Sequence, residues 1–146
     1  LGRYPEPGRR IALGEIGQHG TGKDLAIVTY GNGHYLSRRA EPRLRAAGID
    51  LRIIDLRWLA PLPAETLLAA VADCANVLIV DECRRTGGQA EGLMALLHEA
   101  GHRRIARVTA EDSFIATGPA YAATLPSDDD IAAAAQALVA QGEDKR

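Results

Sequence analysis

The sequence predicts an α/β domain: a three-layer α/β/α sandwich around a sheet of about five strands, mostly parallel, with one antiparallel edge strand. Three observations predict it. Short, unalternated apolar runs rich in Ile and Val recur along the chain, as buried parallel strands require. Between them, apolar residues return at helical spacing. The connections are only a few residues long, which is the pattern of βαβ units.

Residues 1–23 are rich in Gly and Pro and read as a linker that donates one short strand, Ile11 to Ile16. A linker at a terminus implies that another domain precedes it. The strand passes through Gly17-Gln18-His19-Gly20-Thr21-Gly22 to the next by a tight turn, which predicts an antiparallel edge. Leu25 to Tyr30 is the first buried strand, ended by Gly31-Asn32-Gly33. Leu36, Ala40, Leu44 and Ala47 form a helix stopped by Gly48, and Pro42 inside it predicts a kink or a late start. Ile49 to Asp55 is the second strand, and Pro63 opens a helix through Leu67, Leu68 and Val71. Val77 to Val80 is the third strand. Ala90, Leu93, Met94, Leu97 and Ala100 make the next helix, closed by Gly101. After the strand Ile105 to Val108 and a long loop, Ser127 caps a last helix carrying Ile131, Ala135, Leu138 and Val139. Asp128, Asp129 and Asp130 in its first turn face the positive end of the helix dipole. The folded domain spans 24–141, with 142–146 a disordered tail; Ile27, Val28, Ile53, Ile79, Val80 and Val108 are core.

The 146 residues are one domain's worth, 47% hydrophobic and 25% charged, and carry a net charge of −2. A nucleic-acid binder would show a basic excess, so that class is excluded. No apolar run is long enough to span a bilayer. Cys74 and Cys83 form no close-spaced metal or redox pair and read as reduced, mostly buried thiols of a cytoplasmic protein.

Three patterns suggest chemistry. Gly17 to Asp24 nearly fits a phosphate-cradling loop, but a strand follows it where a helix must, and Asp24 stands where a hydroxyl should hold magnesium. His98-Glu99-Ala100-Gly101-His102 matches H-E-x-x-H, yet Gly101 reads as a helix stop that would turn His102 away from His98. Gly31-Asn32-Gly33 lacks the third glycine of a dinucleotide fingerprint, because residue 36 is leucine. His34, just beyond it, sits at the carboxyl end of a strand, where open α/β sheets place ligands.

Four stretches in order carry a resemblance. They are Asp24 to Gly31, then Ile54-Asp55-Leu56-Arg57-Trp58-Leu59-Ala60-Pro61-Leu62, then Val80-Asp81-Glu82-Cys83-Arg84-Arg85-Thr86-Gly87-Gly88, and last Arg107-Val108-Thr109-Ala110-Glu111-Asp112. Together they resemble the transketolase C-terminal domain over about residues 9–140, in the form found in the beta chain, or a fused form, of 2-oxo acid dehydrogenases of pyruvate or branched-chain type. Each stretch also has a plain physical reading. Pro61-Leu62-Pro63 stiffens a turn that pins Trp58 and Leu59 on the sheet. Asp81 and Glu82 with Arg84 and Arg85 make a solvated salt-bridge cluster, and Gly87-Gly88 lets the backbone turn into a helix.

The resemblance implies a non-catalytic domain of a thiamine-diphosphate-dependent oxidoreductase that decarboxylates a 2-oxo acid and passes the acyl group to a lipoyl arm. Cofactor and magnesium would lie in upstream domains, so no catalytic, cofactor or metal residue is assigned here, and the fragment alone is expected to be inactive. Its implied partners are an upstream pyrimidine-binding domain, a second copy in a homodimer, and the lipoyl acyltransferase core. His34, Asp81, Glu82, Arg84, Arg85, Gly87 and Gly88 are the interface or ligand-edge candidates. The competing readings are a stand-alone α/β binding module and a zinc hydrolase built on His98, Glu99 and His102.

Overall fold

A computed structural model of the chain describes Gly8 and residues 10–143. The opening of the expected linker and the last part of the expected tail lie outside the described residues. Five strands form one sheet: β1 (Gly17–His19), β2 (Leu25–Thr29), β3 (Leu51–Asp55), β4 (Asn76–Arg84) and β5 (Ile105–Ala110). The helices are α1 (Gly31–Ala46), α2 (Ala64–Val71), α3 (Gln89–Glu99) and α4 (Asp128–Glu143), with a short 3₁₀ turn at Gly118–Ala123. Strand order is β1-β3-β2-β4-β5; β2 to β5 are parallel, and β1 runs antiparallel to β3. The expected α/β sandwich is therefore observed, with its single antiparallel edge.

Both faces of the sheet are covered, so the central strands are apolar throughout. One layer packs Leu25, Ile27, Leu51, Ile53 and Leu78 against α1 and α4 through Leu44, Ile131 and Ala135. The other packs Val28, Ile54, Val77 and Ile79 against α2 and α3 through Leu67, Val71, Leu93 and Leu97. Each of these large side chains is fully withdrawn from water, a transfer worth about 1.5–3 kcal/mol apiece.

Helix ends follow the chemistry of the sequence. After α3, Gly101 adopts φ 94, and the two bonds Gly101 N to His98 O and His102 N to Leu97 O close a Schellman cap. The same pair of bonds, from Gly48 and Ile49, closes α1. At α4, Ser127 Oγ accepts from Asp130 N (3.1 Å) while the Asp130 carboxylate accepts from Ser127 N (2.9 Å), a reciprocal capping box. Ser127 also holds the Asp130 carboxyl below its ordinary range.

Several expectations need correction. The edge strand is Gly17–His19, not Ile11 to Ile16. The apolar stretch is used up in a turn in which Glu15 N donates to Ala12 O, leaving Ile11 and Leu13 exposed. β1 also pairs with β3 and skips its sequence neighbour β2. Helix α1 begins at Gly31 and contains Pro42, which falls on an exposed position and produces no late start. Val108 is half-buried because β5 is an outer strand. Leu59 is exposed, and Trp58 is half-buried with an indole Nε1 that has no partner among the described residues. Cys74 is buried, but Cys83 is exposed. Residues 142–143 continue α4 and do not begin a tail.

Candidate functional site

Strands β2 and β4 lie side by side with Thr29 opposite Val80, so Tyr30, just past the end of β2, stands beside Asp81 of β4 at the carboxyl edge. Asp81 is fully buried. Its Oδ1 accepts from Tyr30 Oη (2.5 Å) and from the backbone N–H of Cys83 (2.8 Å); its Oδ2 accepts from Ala90 N (2.8 Å). Ala90 is the second residue of α3, whose N-cap position is Gly88 and offers no side chain. Asp81 thus caps α3 from a neighbouring strand, a charge-assisted bond at the positive end of a helix.

The local chain explains this reach. A bulge leaves Glu82 and Cys83 without counterparts between Asp81↔Thr109 and Arg84↔Ala110, which turns the Cys83 N–H back onto Asp81. A Cβ at Gly88 would stand 3.1 Å from Asp81 Oδ2 and 2.7 Å from Arg84 O, so only glycine lets the carboxylate pass. Burial, then the bond to Asp81, pushes the Tyr30 hydroxyl well above the ordinary tyrosine range, and it stays a donor at any physiological pH.

The remaining candidates surround this centre. Glu82 accepts from Asn32 Nδ2 (2.6 Å), tying β4 to the first turn of α1. Arg84 Nε donates to Thr86 O (3.2 Å), and Arg107 Nη1 to Arg85 O (3.0 Å). Thr86 donates through its N–H and its hydroxyl to Asp112 (2.8 and 2.6 Å), which lowers the Asp112 carboxyl below its usual range. Gly87 N donates to Glu91 (3.1 Å). The expected salt-bridge cluster is therefore absent among the described residues: neither Arg84 nor Arg85 pairs with Asp81 or Glu82. The bulge parts the two acids, and Asp81 is fully occupied by neutral donors.

His34 stands apart from this group. It lies in the first turn of α1, not in a loop, with its ring centroid 5.0 Å from that of His19 on β1. Its Nδ1 is buried without a partner among the described residues, and burial pushes its pKa below 6.5; Asp55 opposes that shift, while His19, Arg38 and Arg57 add to it.

Arg52 carries a role that the reading of the sequence did not assign. Nearly buried in β3, its guanidinium donates to Gly22 O (2.6 Å), Thr21 O (3.1 Å) and Ala70 O (2.9 Å), and it pairs with Asp73 (3.0 Å). The glycine-rich loop Gly20-Thr21-Gly22 thus gives its carbonyls to an arginine, the reverse of a phosphate cradle, which needs inward N–H groups. The signal was available: an arginine between Leu51 and Ile53 in a buried strand must be fully paired. The H-E-x-x-H run falls across the Schellman cap of α3, which ends at Glu99, so its two histidines do not share a helical face. Among the described residues no group of three or more His, Cys, Asp or Glu is placed to hold a metal ion, and no helix is long and apolar enough to cross a membrane.

Residues 14–131 match the family described as Transketolase, C-terminal domain. The pyruvate dehydrogenase E1 component subunit beta of Bacillus subtilis is 29% identical over 131 residues, 87% of this chain and 40% of that protein. The protein of the same description from Staphylococcus epidermidis is 30% identical over 139 residues, 92% of this chain and 43% of that one. The chain thus spans less than half the length of these relatives. Among solved structures, a split gene transketolase described as an inactive beta4 tetramer matches with a TM-score of 0.82 at 24% identity, covering 96% of this chain and 46% of that one. A 2-oxoglutarate:ferredoxin oxidoreductase from Magnetococcus marinus matches with a TM-score of 0.63 at 18% identity, over 86% of this chain and 20% of that one. At these identities the two structures establish the fold alone.

Proposed function

Because the chain belongs to the family of transketolase C-terminal domains, we propose that it serves a thiamine-diphosphate-dependent 2-oxo acid dehydrogenase of pyruvate or branched-chain type as a non-catalytic domain. It contributes contacts of a homodimer and the docking of a lipoyl acyltransferase core, beside an upstream pyrimidine-binding domain. The relation to pyruvate dehydrogenase E1 beta subunits supports this reading, and two free cysteines suit a cytoplasmic protein.

The observation that carries the non-catalytic role is the commitment of Asp81, Glu82 and Asp112 at the carboxyl edge. Thiamine diphosphate needs a magnesium-bridged diphosphate site and a carboxylate to activate its pyrimidine. The residues present do not fit that group. Asp81 has both oxygens engaged by donors, Glu82 is held by Asn32, and Asp112 by Thr86. The glycine-rich loop presents carbonyls, which repel a diphosphate. On this reading the cofactor and magnesium belong to upstream domains of the parent enzyme, where decarboxylation and acyl transfer take place.

Calorimetric titration of the chain with thiamine diphosphate and magnesium should be flat, and the chain should not turn over pyruvate or a branched-chain 2-oxo acid. Binding tighter than about 100 µM, roughly 5.5 kcal/mol, would overturn the non-catalytic assignment. Docking is tested separately, by surface plasmon resonance against a pyruvate dehydrogenase acyltransferase core. Saturable binding is expected, and its absence at micromolar protein counts against that role.

A further inference from the structure

The sheet ends on one side at β5, and the outer edge of this strand is open. In a parallel ladder, alternate residues of the edge strand turn both backbone groups inward, and those between turn both outward. Val77 lies opposite Ile105 and donates to Arg104 O (2.9 Å). Arg104, Ala106 and Val108 accordingly bond toward β4, while Ile105, Arg107 and Thr109 face out. Glu111 continues the outward series, and its N–H already has a partner, Thr124 O, at 3.0 Å. Among the described residues nothing else pairs with the outward N–H and C=O groups of Ile105, Arg107 and Thr109.

Two of the usual protections, a proline and a bulge on the edge strand itself, are missing here. Ile105 to Ala110 contains no proline, and the bulge lies on β4, on the inner side. A groove of about 440 Å³ runs beside it, walled by residues 107–111 and, across the gap, by residues 122–126. That volume lies in the range of sites that enclose small ligands, enough for a few residues of extended chain. The Thr124 to Glu111 bond already begins a strand-like pairing at its far end.

We propose that the open edge of β5 docks an extended segment of a partner protein, which adds a sixth strand and sets an acidic side chain against Arg107 and Arg85. Charge decides the occupant. Among the described residues Arg107 has one loose ion pair, with Glu91 at 3.9 Å, and a bond to Arg85 O, while Arg85 has no ion pair. Two acids also line the groove, but Asp130 is taken by Ser127 and Glu111 lies beyond the three open residues. A carboxylate on the incoming strand opposite Arg107 meets both. A second copy of this chain is the poorer occupant. The one self-pairing that matches all three outward residues with each other centres the two-fold on Arg107, and it sets two guanidinium side chains directly opposite, a destabilising cross-strand pair.

The test is an amide NMR titration with the peptide acetyl-Thr-Val-Glu-Val-Thr-amide and its counterpart with lysine in place of glutamate. The acidic peptide should move the amides of residues 105–111 with a dissociation constant on the order of 1 mM, and the lysine peptide should bind at least about tenfold more weakly. Arg107→Glu should reverse that preference. Thr109→Pro removes an outward N–H without touching the inward ladder, and it should abolish binding while the amides of β2 and β4 stay in place. Equal binding of the two peptides, or no saturable shift on residues 105–111, refutes the proposal. So does shifting of the same amides with protein concentration alone, which would make a second copy the occupant.

Discussion

Replacing Asp81 by alanine tests whether this carboxylate is a structural cap or a group held in reserve for a ligand. Three donors lose their acceptor, but they do not lose equally. Cys83 is exposed and Tyr30 half-buried, so both reach water. Ala90 is 1% exposed, and its N–H would stay unmet at the first turn of α3. An unmet buried donor costs about 1–3 kcal/mol and a lost charge-assisted bond about 1.5–3, with overlap between the two, so Asp81→Ala should cost roughly 2–4 kcal/mol. For a chain of this size that lowers the melting midpoint by about 4–16 °C. Asp81→Asn keeps one oxygen for Ala90, and its amide can donate to a reoriented Tyr30 hydroxyl; only the Cys83 bond is lost, so about 1–2 kcal/mol is expected. Urea unfolding followed by circular dichroism gives both values, and amide exchange should place the loosened segment at the start of α3. A cost below about 0.5 kcal/mol for alanine, or asparagine as damaging as alanine, would refute the capping role.

Other substitutions separate rigid from yielding contacts. A Cβ at Gly22 would stand 2.2 Å from Leu51 N and 2.3 Å from Asp50 C, both backbone, so Gly22→Ala should lose about 3 kcal/mol or more in urea unfolding. Gly17→Ala meets only the end of the Arg57 side chain, at 2.8 Å, which can swing aside; a loss under about 1 kcal/mol is expected there. Ser127→Ala removes one half of the capping box and should cost about 1 kcal/mol, visible as faster exchange in the first turn of α4. His34 has its folded-state pKa depressed below 6.5, so its neutral form favours folding. Its contribution is full above that value and is lost as pH falls through it, and His34→Gln should flatten the decline of the urea midpoint between about pH 7.5 and 5. An unchanged slope in that variant would remove His34 as the cause.

The buried strands and the helix stops were legible because their causes are local. Leu25 to Thr29 and Val77 to Val80 have nowhere to go but the middle of a sheet, and Gly48 and Gly101 end helices by their own backbone freedom. The edge strand was not legible, because its cause is remote. Gly17-Gln18-His19 has little intrinsic strand preference and is extended only because β3 offers it an unpaired side. Residues 11–16 have the apolar content of a strand, but the turn at Leu13-Gly14 uses them first. Val108 was misjudged for a related reason: strand order, which leaves β5 outermost, is a tertiary outcome that no window of sequence contains.

The candidate site was legible as a place but not as an arrangement. The stretch around Asp81 lies at the carboxyl edge of the sheet, where Tyr30 meets Asp81 and Asn32 meets Glu82. The expected pairing of Asp81 and Glu82 with Arg84 and Arg85 failed because a two-residue bulge cannot be read from alternation, and it reverses which neighbours each side chain meets. The consequence bears on function. Asp81 joins β4 to α3, Glu82 joins β4 to α1, and Asp112 joins the end of β5 to Thr86. Each of these three acids fastens a strand end to a neighbouring segment, so the edge where open α/β sheets place ligands is held in part by its own carboxylates. Arg84 and Arg85 remain exposed there without an ion pair among the described residues, near Asp112, and the groove beside the outward amides of β5 is lined by Arg85. A surface with its acids engaged inward and its cations and backbone turned outward suits a partner's carboxylates and main chain better than a metal-bound cofactor.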